Sequence, residues 1–191
     1  MALALEASLL DQLRRQEEDA FTVMYERHRT QIYNYLYRLS GSKELADDLT
    51  HDTFLSAYES LPKLRPDSNI VPWLYRIASN RFRDFLRRKK VINWLPWSDS
   101  PRSEAALACL GGEERLPERE AVQAVLGTMK PEYSICLVLR LAEGFSSDET
   151  AQILGITPEA VRMRLSRARQ MFKVAYLGLE ELSAVEGKRR A

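Results

Sequence analysis

The stretch that decides the fold of the C-terminal part of the chain is "GFSSDETAQILGITPEAVRMRLSRARQMFK", residues 144–173. Ser146 and Glu149 stand in the S-x-x-E pattern of a capping box, which predicts that a helix begins there. Gly155 supplies the sharp turn that separates this helix from the next one. Two short helices joined by a tight glycine turn are typical of a helix-turn-helix.

The second of these helices begins with Thr157 as its N-cap and Pro158 at its first position. A helix N-terminus favours a phosphate group at this point. The apolar residues that follow recur at helical spacing and predict a buried stripe of Val161, Leu165, Ala168 and Met171. The arginines cannot all lie on that stripe, so they are expected to point outward.

These outward residues predict contact with duplex DNA, because arginine can bond two acceptors of guanine or clamp a phosphate. The residues expected near base edges are Arg162, Met163, Ser166 and Arg167. Those expected mainly on the sugar-phosphate backbone are Arg164, Arg169 and Lys173. Met163 donates no conventional hydrogen bond, so its expected contact is with a thymine methyl group. The alternative is a solvated helix whose arginines pair with surface Glu and Asp.

The rest of the chain is helical in pattern, and no strand-like alternation appears. Apolar spacing predicts helices over residues 18–40 and 43–61 and a third with Pro72 in its first turn. In the second of these, the residues expected to face inward are Leu45, Leu49, Phe54, Leu55, Tyr58 and Leu61. In a later helix beginning at Pro131, they are Ile135, Leu137, Val138 and Leu141.

The predicted fold class is all-α, with two small helical domains joined by a flexible linker. The predicted divisions are a first domain over residues 1–90, a linker over 91–116, a second domain over 117–178 and a short tail over 179–191. The linker contains "WLPW", in which Trp94 and Trp97 would not normally face water. These rings either dock on a neighbouring domain or partner, or form a local cluster within this chain.

Composition narrows the class of protein. The net charge of +1 combines an acidic first sixty residues with two basic segments, residues 76–90 and 162–173. This layout suggests a separate partner surface and polyanion contact, although charge taken alone favours the simpler interpretation of solvated helix faces. Cys109 and Cys136 lack neighbours that would complete a metal site, so neither a metal nor another cofactor is expected. The opening is too short and acidic for a signal peptide and no apolar run approaches about 20 residues, which predicts a cytoplasmic protein.

Two segments carry a family resemblance. "ADDLTHDTFLSAYESLPKL", residues 46–64, followed by "PWLYRIASNRFRDFLRRKK", residues 72–90, resembles region 2 of a bacterial RNA polymerase sigma factor. The segment from "LPERE" to residue 173 resembles region 4. With only a linker where region 3 would lie, the chain is similar to the extracytoplasmic-function group of sigma factors.

The resemblance implies partners and sites. It implies binding to core RNA polymerase, with the coiled coil of the β′ subunit and the β subunit as partners. The residues on the segment that matches the β′-binding helix are Asp47, Asp48, Thr50, Asp52, Thr53, Leu55 and Ser56. It implies contact of melted DNA at the −10 element by Asp67, Ser68, Asn69, Ile70, Arg76, Asn80, Arg81 and Arg83. It implies that the helix-turn-helix binds the −35 element as duplex, that the linker threads towards the active-site cleft, and that a separate anti-sigma factor regulates the protein.

Two other classes of function compete with this one. A stand-alone helix-turn-helix regulator would need a ligand-binding or dimerisation domain in front, and the first sixty residues show no such signature. An enzyme would need a nucleophile with a base, a metal cluster or a phosphate-cradling glycine loop. His28 and His51 are isolated, and Asp47 and Asp48 are adjacent helix positions that diverge by about 100°. The chain is therefore expected to have no catalytic residues.

Overall fold

The structure, a computed structural model, describes residues 9–15, 17–65, 68–92 and 118–189. Across these ranges the regular elements are all helices and no strand occurs, so the predicted all-α fold is confirmed. Trp94 and Trp97, with the rest of the predicted linker from residue 93 onward, lie outside the described residues.

The first domain is built from three long helices. Helix α1 spans Glu18–Ser40, α2 spans Lys43–Ser60, and α3 spans Ile70–Ile92, with a short 3-10 turn at Leu61–Lys63 after α2. Gly41 ends α1 in the left-handed conformation, with φ 69°, and donates its N–H to the carbonyl of Tyr37. Ser42 then caps α2 by accepting the N–H of Leu45. The sharp joint places α1 and α2 side by side.

The core of this domain is filled by one apolar face from each helix. Its buried side chains include Met24, Ile32, Leu36, Leu49, Phe54, Leu74 and Phe82. Tyr25 meets Phe54 edge to face, with ring centroids 4.9 Å apart. The buried hydroxyls of Tyr35 and Ser79 share a hydrogen bond of 2.7 Å, which joins α1 to α3. Burying each large apolar side chain stabilises the fold by about 1.5–3 kcal/mol.

The second domain contains four helices among the described residues. Helix α4 spans Glu118–Thr128, α5 spans Pro131–Leu141, α6 spans Ser147–Leu154, and α7 spans Pro158–Arg189. Its centre is formed by Ile135, Leu139, Ile153, Val161 and Ala168, all buried. Helix α7 continues through most of residues 179–191, the segment that the sequence predicts as a short tail. Cys136 lies in this core, and burial raises the pKa of its thiol, so it is a packing residue.

Four side chains predicted to face inward are exposed instead: Leu55, Tyr58, Leu141 and Met171. Leu55 follows Phe54 directly, and adjacent helix positions point about 100° apart, so only Phe54 faces the core. Leu141 is the last residue of α5. On α7 the buried stripe continues from Ala168 to the partly buried Phe172, four residues later, rather than to Met171.

The two domains pack against each other. Helix α3 of the first domain lies against α6 of the second, and α1 lies against α4 and α5. Glu143, in the loop between α5 and α6, bonds Arg38 of α1 and Tyr75 of α3. The rings of Tyr75 and Phe145 meet edge to face, with centroids 4.8 Å apart. The sequence alone did not indicate this arrangement.

The capping box of α6 predicts a pH-dependent stability. The Glu149 carboxylate accepts the N–H of Ser146 at 2.7 Å, and this hydrogen bond holds the pKa of Glu149 below its ordinary value of 4.5. The stabilisation is therefore present above that ordinary value and is lost as pH falls through the lowered one. Urea unfolding of the chain between pH 7 and pH 3 should show a steeper loss of stability for wild type than for Glu149→Gln, which keeps an acceptor without the charge.

A matched variant isolates the other half of the box. Ser146→Ala removes the acceptor of the Glu149 N–H and should lower the free energy of unfolding by about 1 kcal/mol at pH 7. Identical pH profiles for wild type and Glu149→Gln would show that the carboxylate does not contribute to the cap.

Candidate nucleic-acid and polymerase interfaces

The helix-turn-helix has the local geometry that its sequence predicts. Ser146 and Glu149 exchange both bonds of a capping box at the start of α6. Gly155 ends α6 in the left-handed conformation, with φ 65°, where a side chain would be strained. Thr157 accepts the N–H of Ala160 at 3.2 Å and so caps α7, whose first residue is Pro158. The two helices are therefore joined by a sharp turn, and at the start of α7 Thr157 is exposed while Pro158 is half-buried.

Helix α7 separates its two faces clearly. Val161, Leu165 and Ala168 are buried against the domain. The exposed residues are Arg162, Met163, Ser166, Arg167, Arg169 and Lys173, whereas Arg164 is half-buried. Met163, 52% exposed, is the apolar member of this surface. Every residue of α7 expected at base edges is therefore accessible, and Arg164 is the one backbone-contact candidate that is partly covered.

One arginine of this face has a partner in the free protein. Arg162 donates to the Glu159 carboxylate at 2.6 Å, one helical turn away. Both side chains are largely exposed, so the pair contributes little to stability. The Arg162 guanidinium can therefore leave Glu159 for a phosphate or a base edge with little loss of free energy. For Arg162, the alternative in which an arginine of this helix pairs with a surface glutamate is what the structure shows.

A second polar stripe runs along α3. Arg76, Asn80 and Arg83 lie at i, i+4 and i+7, which places them on one face of the helix. The Asn80 amide oxygen accepts from the Arg83 guanidinium at 2.7 Å, and that guanidinium also donates to the carbonyl of Ser79 at 3.3 Å. Arg81 is half-buried and about 100° away around the helix. The structure therefore groups Arg76, Asn80 and Arg83 and separates Arg81 from them.

The remaining predicted contacts with the −10 element lie in the loop before α3 and at its first residue, and their environments differ. Asp67 lies outside the described residues, and Ser68 is half-buried. Asn69 is exposed and caps α3, because its side-chain oxygen accepts the N–H of Val71 at 3.1 Å. Ile70 is buried in the core of the first domain. Of this set, Asn69 is exposed at the surface while Ile70 packs inside.

The outer face of α2 carries the predicted polymerase contacts only in part. Asp48, Asp52 and Leu55 follow one another at i, i+4 and i+7, and Leu55 is 51% exposed. Thr50 and Thr53 are buried, and their hydroxyls donate to carbonyls of the preceding turn at 2.6 Å.

The other two predicted polymerase contacts, Asp47 and Ser56, lie beside the row formed by Asp48, Asp52 and Leu55. The Asp47 carboxylate lies 4.0 Å from the Arg29 guanidinium. Ser56 is half-buried and donates to the carbonyl of Asp52 at 2.7 Å. The sequence set therefore mixes surface and core positions.

Sequence reasoning missed one member of this face. Tyr58 is exposed, three residues after Leu55, and its ring meets Phe21 edge to face with centroids 5.1 Å apart. Val23 of α1 is also exposed. The helical period carries this signal, because Tyr58 lies three residues after Leu55, and residues three apart are neighbours on a helix surface.

Two further properties of the described residues concern membranes and metals. Among the helices that the structure describes, none combines the length and the hydropathy that a membrane span requires. In that same part of the chain, no group of three or more His, Cys, Asp or Glu side chains is arranged to hold a metal ion.

Comparison with known proteins identifies the class. The model of "Sigma-70 region 2" matches residues 24–91, and that of "Sigma-70, region 4" matches residues 119–172. The chain therefore belongs to the sigma-70 family of RNA polymerase sigma factors.

Individual relatives place it within that family. It is 29% identical to the RNA polymerase sigma factor CarQ of Myxococcus xanthus, over 86% of this chain and 93% of CarQ. It is 30% identical to the ECF RNA polymerase sigma factor SigM of Mycobacterium tuberculosis, over 78% of this chain and 74% of SigM. A solved structure of CnrH in complex with the cytosolic domain of CnrY matches with TM-score 0.66 and 25% identity, over 88% of this chain and 95% of CnrH.

The chain is an extracytoplasmic-function sigma factor, an alternative sigma factor that directs promoter-specific initiation of transcription. Sigma factors are regulatory DNA-binding proteins rather than catalysts. The family resemblance seen in the sequence is confirmed.

The geometry of α7 predicts different consequences for two of its cations. Arg167→Ala should lower promoter-dependent transcription through a loss of about 1–3 kcal/mol in binding and should relax the preference at one base pair. Lys173→Ala should weaken binding equally on all sequences. It should also reduce the slope of the logarithm of the binding constant against the logarithm of the salt concentration by about 1. The measurement is transcription by polymerase carrying each variant, on promoter fragments at several salt concentrations.

Arg14→Ala is the matched control, because Arg14 lies outside both matched family regions. A uniform loss across sequences for Arg167→Ala would contradict its assignment to a base edge.

Proposed function

We propose that this sigma factor binds core RNA polymerase through the outer face of α2 and contacts promoter DNA through α3 and α7. The observation that carries the proposal is the division of charge among three separate helix faces. The face of α2 is acidic and apolar, whereas those of α3 and α7 are basic. One chain thus offers a surface for a basic protein partner and two surfaces for DNA.

The α2 surface consists of Asp48, Asp52, Leu55 and Tyr58. Its two carboxylates suit a basic coiled coil such as the one expected in the β′ subunit, since complementary charge accelerates and orients association. Leu55 and Tyr58 are exposed apolar side chains, of the kind that contributes most binding energy once covered. Thr50 and Thr53 support this surface from beneath, and their hydroxyls stay engaged within the helix.

The α3 surface is assigned to the −10 element. Arg76 and Arg83 supply charge for the phosphates of a melted strand, and Asn80 can both donate to and accept from a base edge. Asn69, at the exposed start of α3, is the described candidate for a flipped-out base. Its amide nitrogen is the group available for this contact, because its oxygen already accepts the N–H of Val71.

The α7 surface is assigned to the −35 element. In a helix-turn-helix the second helix enters the major groove with its N-terminal residues on base edges, which places Arg162, Met163, Ser166 and Arg167 there. Thr157 and Pro158 begin this helix, where free N–H groups favour a phosphate. Chemistry on the nucleotides belongs to the polymerase, and the sigma factor contributes recognition, which requires a cytoplasmic location.

We also propose an anti-sigma partner. The supporting observation is that CnrH, which shares this fold at 25% identity, was solved in complex with the cytosolic domain of CnrY. A comparable protein bound to this chain would compete with polymerase for the α2 face. Excess core polymerase would then displace it.

The test is run-off transcription with core RNA polymerase, this protein and a library of promoter fragments. Specific initiation should appear only when both proteins are present, and the selected fragments should share two sequence elements. DNA binding without any association with core polymerase would contradict the proposal and indicate a polymerase-independent regulator.

A single substitution tests the α2 surface. Leu55→Ala should weaken binding to core polymerase by more than about 1 kcal/mol, because the side chain would be buried in that complex. Leu177→Ala is the control, as Leu177 is similarly exposed but lies beyond both matched family regions. Equal affinities for wild type and Leu55→Ala, measured by surface plasmon resonance, would remove α2 from the interface.

A further inference from the structure

The contact between the two domains centres on one carboxylate that none of the proposed interfaces uses. Glu143 lies in the loop that joins α5 to the helix-turn-helix, and its side chain is only 7% exposed. One oxygen accepts from the Arg38 guanidinium at 2.7 Å, and the other accepts from the Tyr75 hydroxyl at 2.5 Å. Its partners lie 105 and 68 positions earlier, on two different helices of the first domain.

Aromatic rings surround this carboxylate. The Tyr75 ring lies between Tyr35 of its own domain, at 4.9 Å, and Phe145 of the second domain, at 4.8 Å. Burial and the bond to Glu143 raise the pKa of Tyr75 well above its ordinary value, so its hydroxyl remains a donor. The hydrogen bonds are thus backed by apolar packing from both domains.

The packing also places the first helix of the helix-turn-helix against the helix proposed to meet the −10 element. In a helix-turn-helix the first helix crosses the DNA backbone, but here α6 is packed against α3. The Arg76 guanidinium lies beside the turn, since a side-chain carbon placed on Gly155 would be 3.7 Å from it. The side of α6 that packs against α3 is therefore unavailable to the DNA backbone in this arrangement.

The spacing of a promoter gives an independent reason. Elements centred near −35 and −10 are about 25 base pairs apart, which is roughly 85 Å along B-form DNA at about 3.4 Å per pair. Two domains in direct contact cannot occupy both elements. The arrangement in this structure is consequently incompatible with bound promoter.

We propose that Glu143 is an interdomain latch, which holds free sigma factor closed through Arg38 and Tyr75 and must release before promoter DNA binds. The promoter part of this inference rests on the proposed function, whereas the latch itself rests on the contacts alone. Closure keeps the two DNA-binding faces from engaging together until the domains are separated on polymerase.

The chemistry of the latch suits reversible opening. Arg38 is 43% exposed at the rim of the contact, and Glu143 and Tyr75 become able to bond water when the domains part. Polar contacts of this kind are typical of domain interfaces that open and close. A wholly apolar contact would expose unpaired hydrocarbon on opening and would favour permanent closure.

The direct test measures the distance between the domains in the full chain. Spin labels on Glu26→Cys of α1 and Gln170→Cys of α7, in a Cys109→Ser background, report this distance by pulsed electron paramagnetic resonance. Both labelled positions are exposed, whereas Cys136 is buried. Wild type should give a narrow distribution of distances between the two labels, centred at a short distance. Glu143→Gln should broaden it and shift it to longer distances. An unchanged distribution would overturn the latch.

Two further variants guard against misfolding and nonspecific effects. Glu132→Gln changes an exposed glutamate of α5 and should leave the distribution as in wild type. Tyr75→Phe keeps the ring contacts and removes the bond to Glu143 from the opposite domain, so it should also lengthen the distance. If Glu143→Gln unfolds the second domain, Tyr75→Phe carries the test alone, and a wild-type distribution for it would overturn the latch.

The inhibitory role is tested separately, with the promoter fragment selected by run-off transcription. Without core polymerase, Glu143→Gln should bind this fragment about fivefold or more tightly than wild type, the size expected for coupled sites. Longer distances with unchanged DNA affinity would leave a structural contact without inhibition and overturn that role. Failure of transcription for every variant, with the distances altered, would remove the proposed function and leave the latch standing.

Discussion

Each helix of this protein must bury one apolar face, and that requirement decides which polar side chains remain for partners. On α7, burial of Val161, Leu165 and Ala168 leaves Arg162 and Arg167 facing outward. The same constraint on α2 turns Phe54 inward and leaves Leu55 exposed. Packing of the core therefore also fixes the binding surfaces. A rotation of α2 or α7 about its axis would expose the apolar side chains and turn the binding residues away from solvent.

The three surfaces differ in how far they are prepared in the free protein. On α7 the side chains are exposed on a helix whose start is capped by Thr157, and among them Arg162 must exchange its bond with Glu159. On α3 Asn80 and Arg83 bond each other, so binding must exchange that contact for one with DNA. On α2 the buried hydroxyls of Thr50 and Thr53 are satisfied within the helix, so the groups that this surface offers to a partner are carboxylates and apolar side chains.

The contact between the domains adds a level of control that neither domain has alone. A buried carboxylate requires hydrogen-bonding partners, and those of Glu143 lie in the opposite domain. The domain that would bind the −35 element is thereby tied to the helix that would bind the −10 element. Recognition of a promoter and separation of the domains become linked steps.

The sequence by itself determined the local structure. Helical spacing, the capping box of Ser146 and Glu149, and the glycine turn at Gly155 all depend on residues within a few positions of one another. For the same reason the all-α class, the helix-turn-helix and the accessibility of Arg162, Met163, Ser166 and Arg167 were predictable. The two family motifs extended this to the class of protein.

Only the tertiary structure decided which members of each predicted set reach the surface and how the domains meet. Ile70, Thr50 and Thr53 are buried because neighbouring helices cover them, whereas Leu141 and Met171 lie where the described helices leave them open. The bonds from Glu143 to Arg38 and Tyr75 join residues far apart in the chain. No periodicity within a single helix carries information about such pairs, because they exist only once separate apolar faces have packed together.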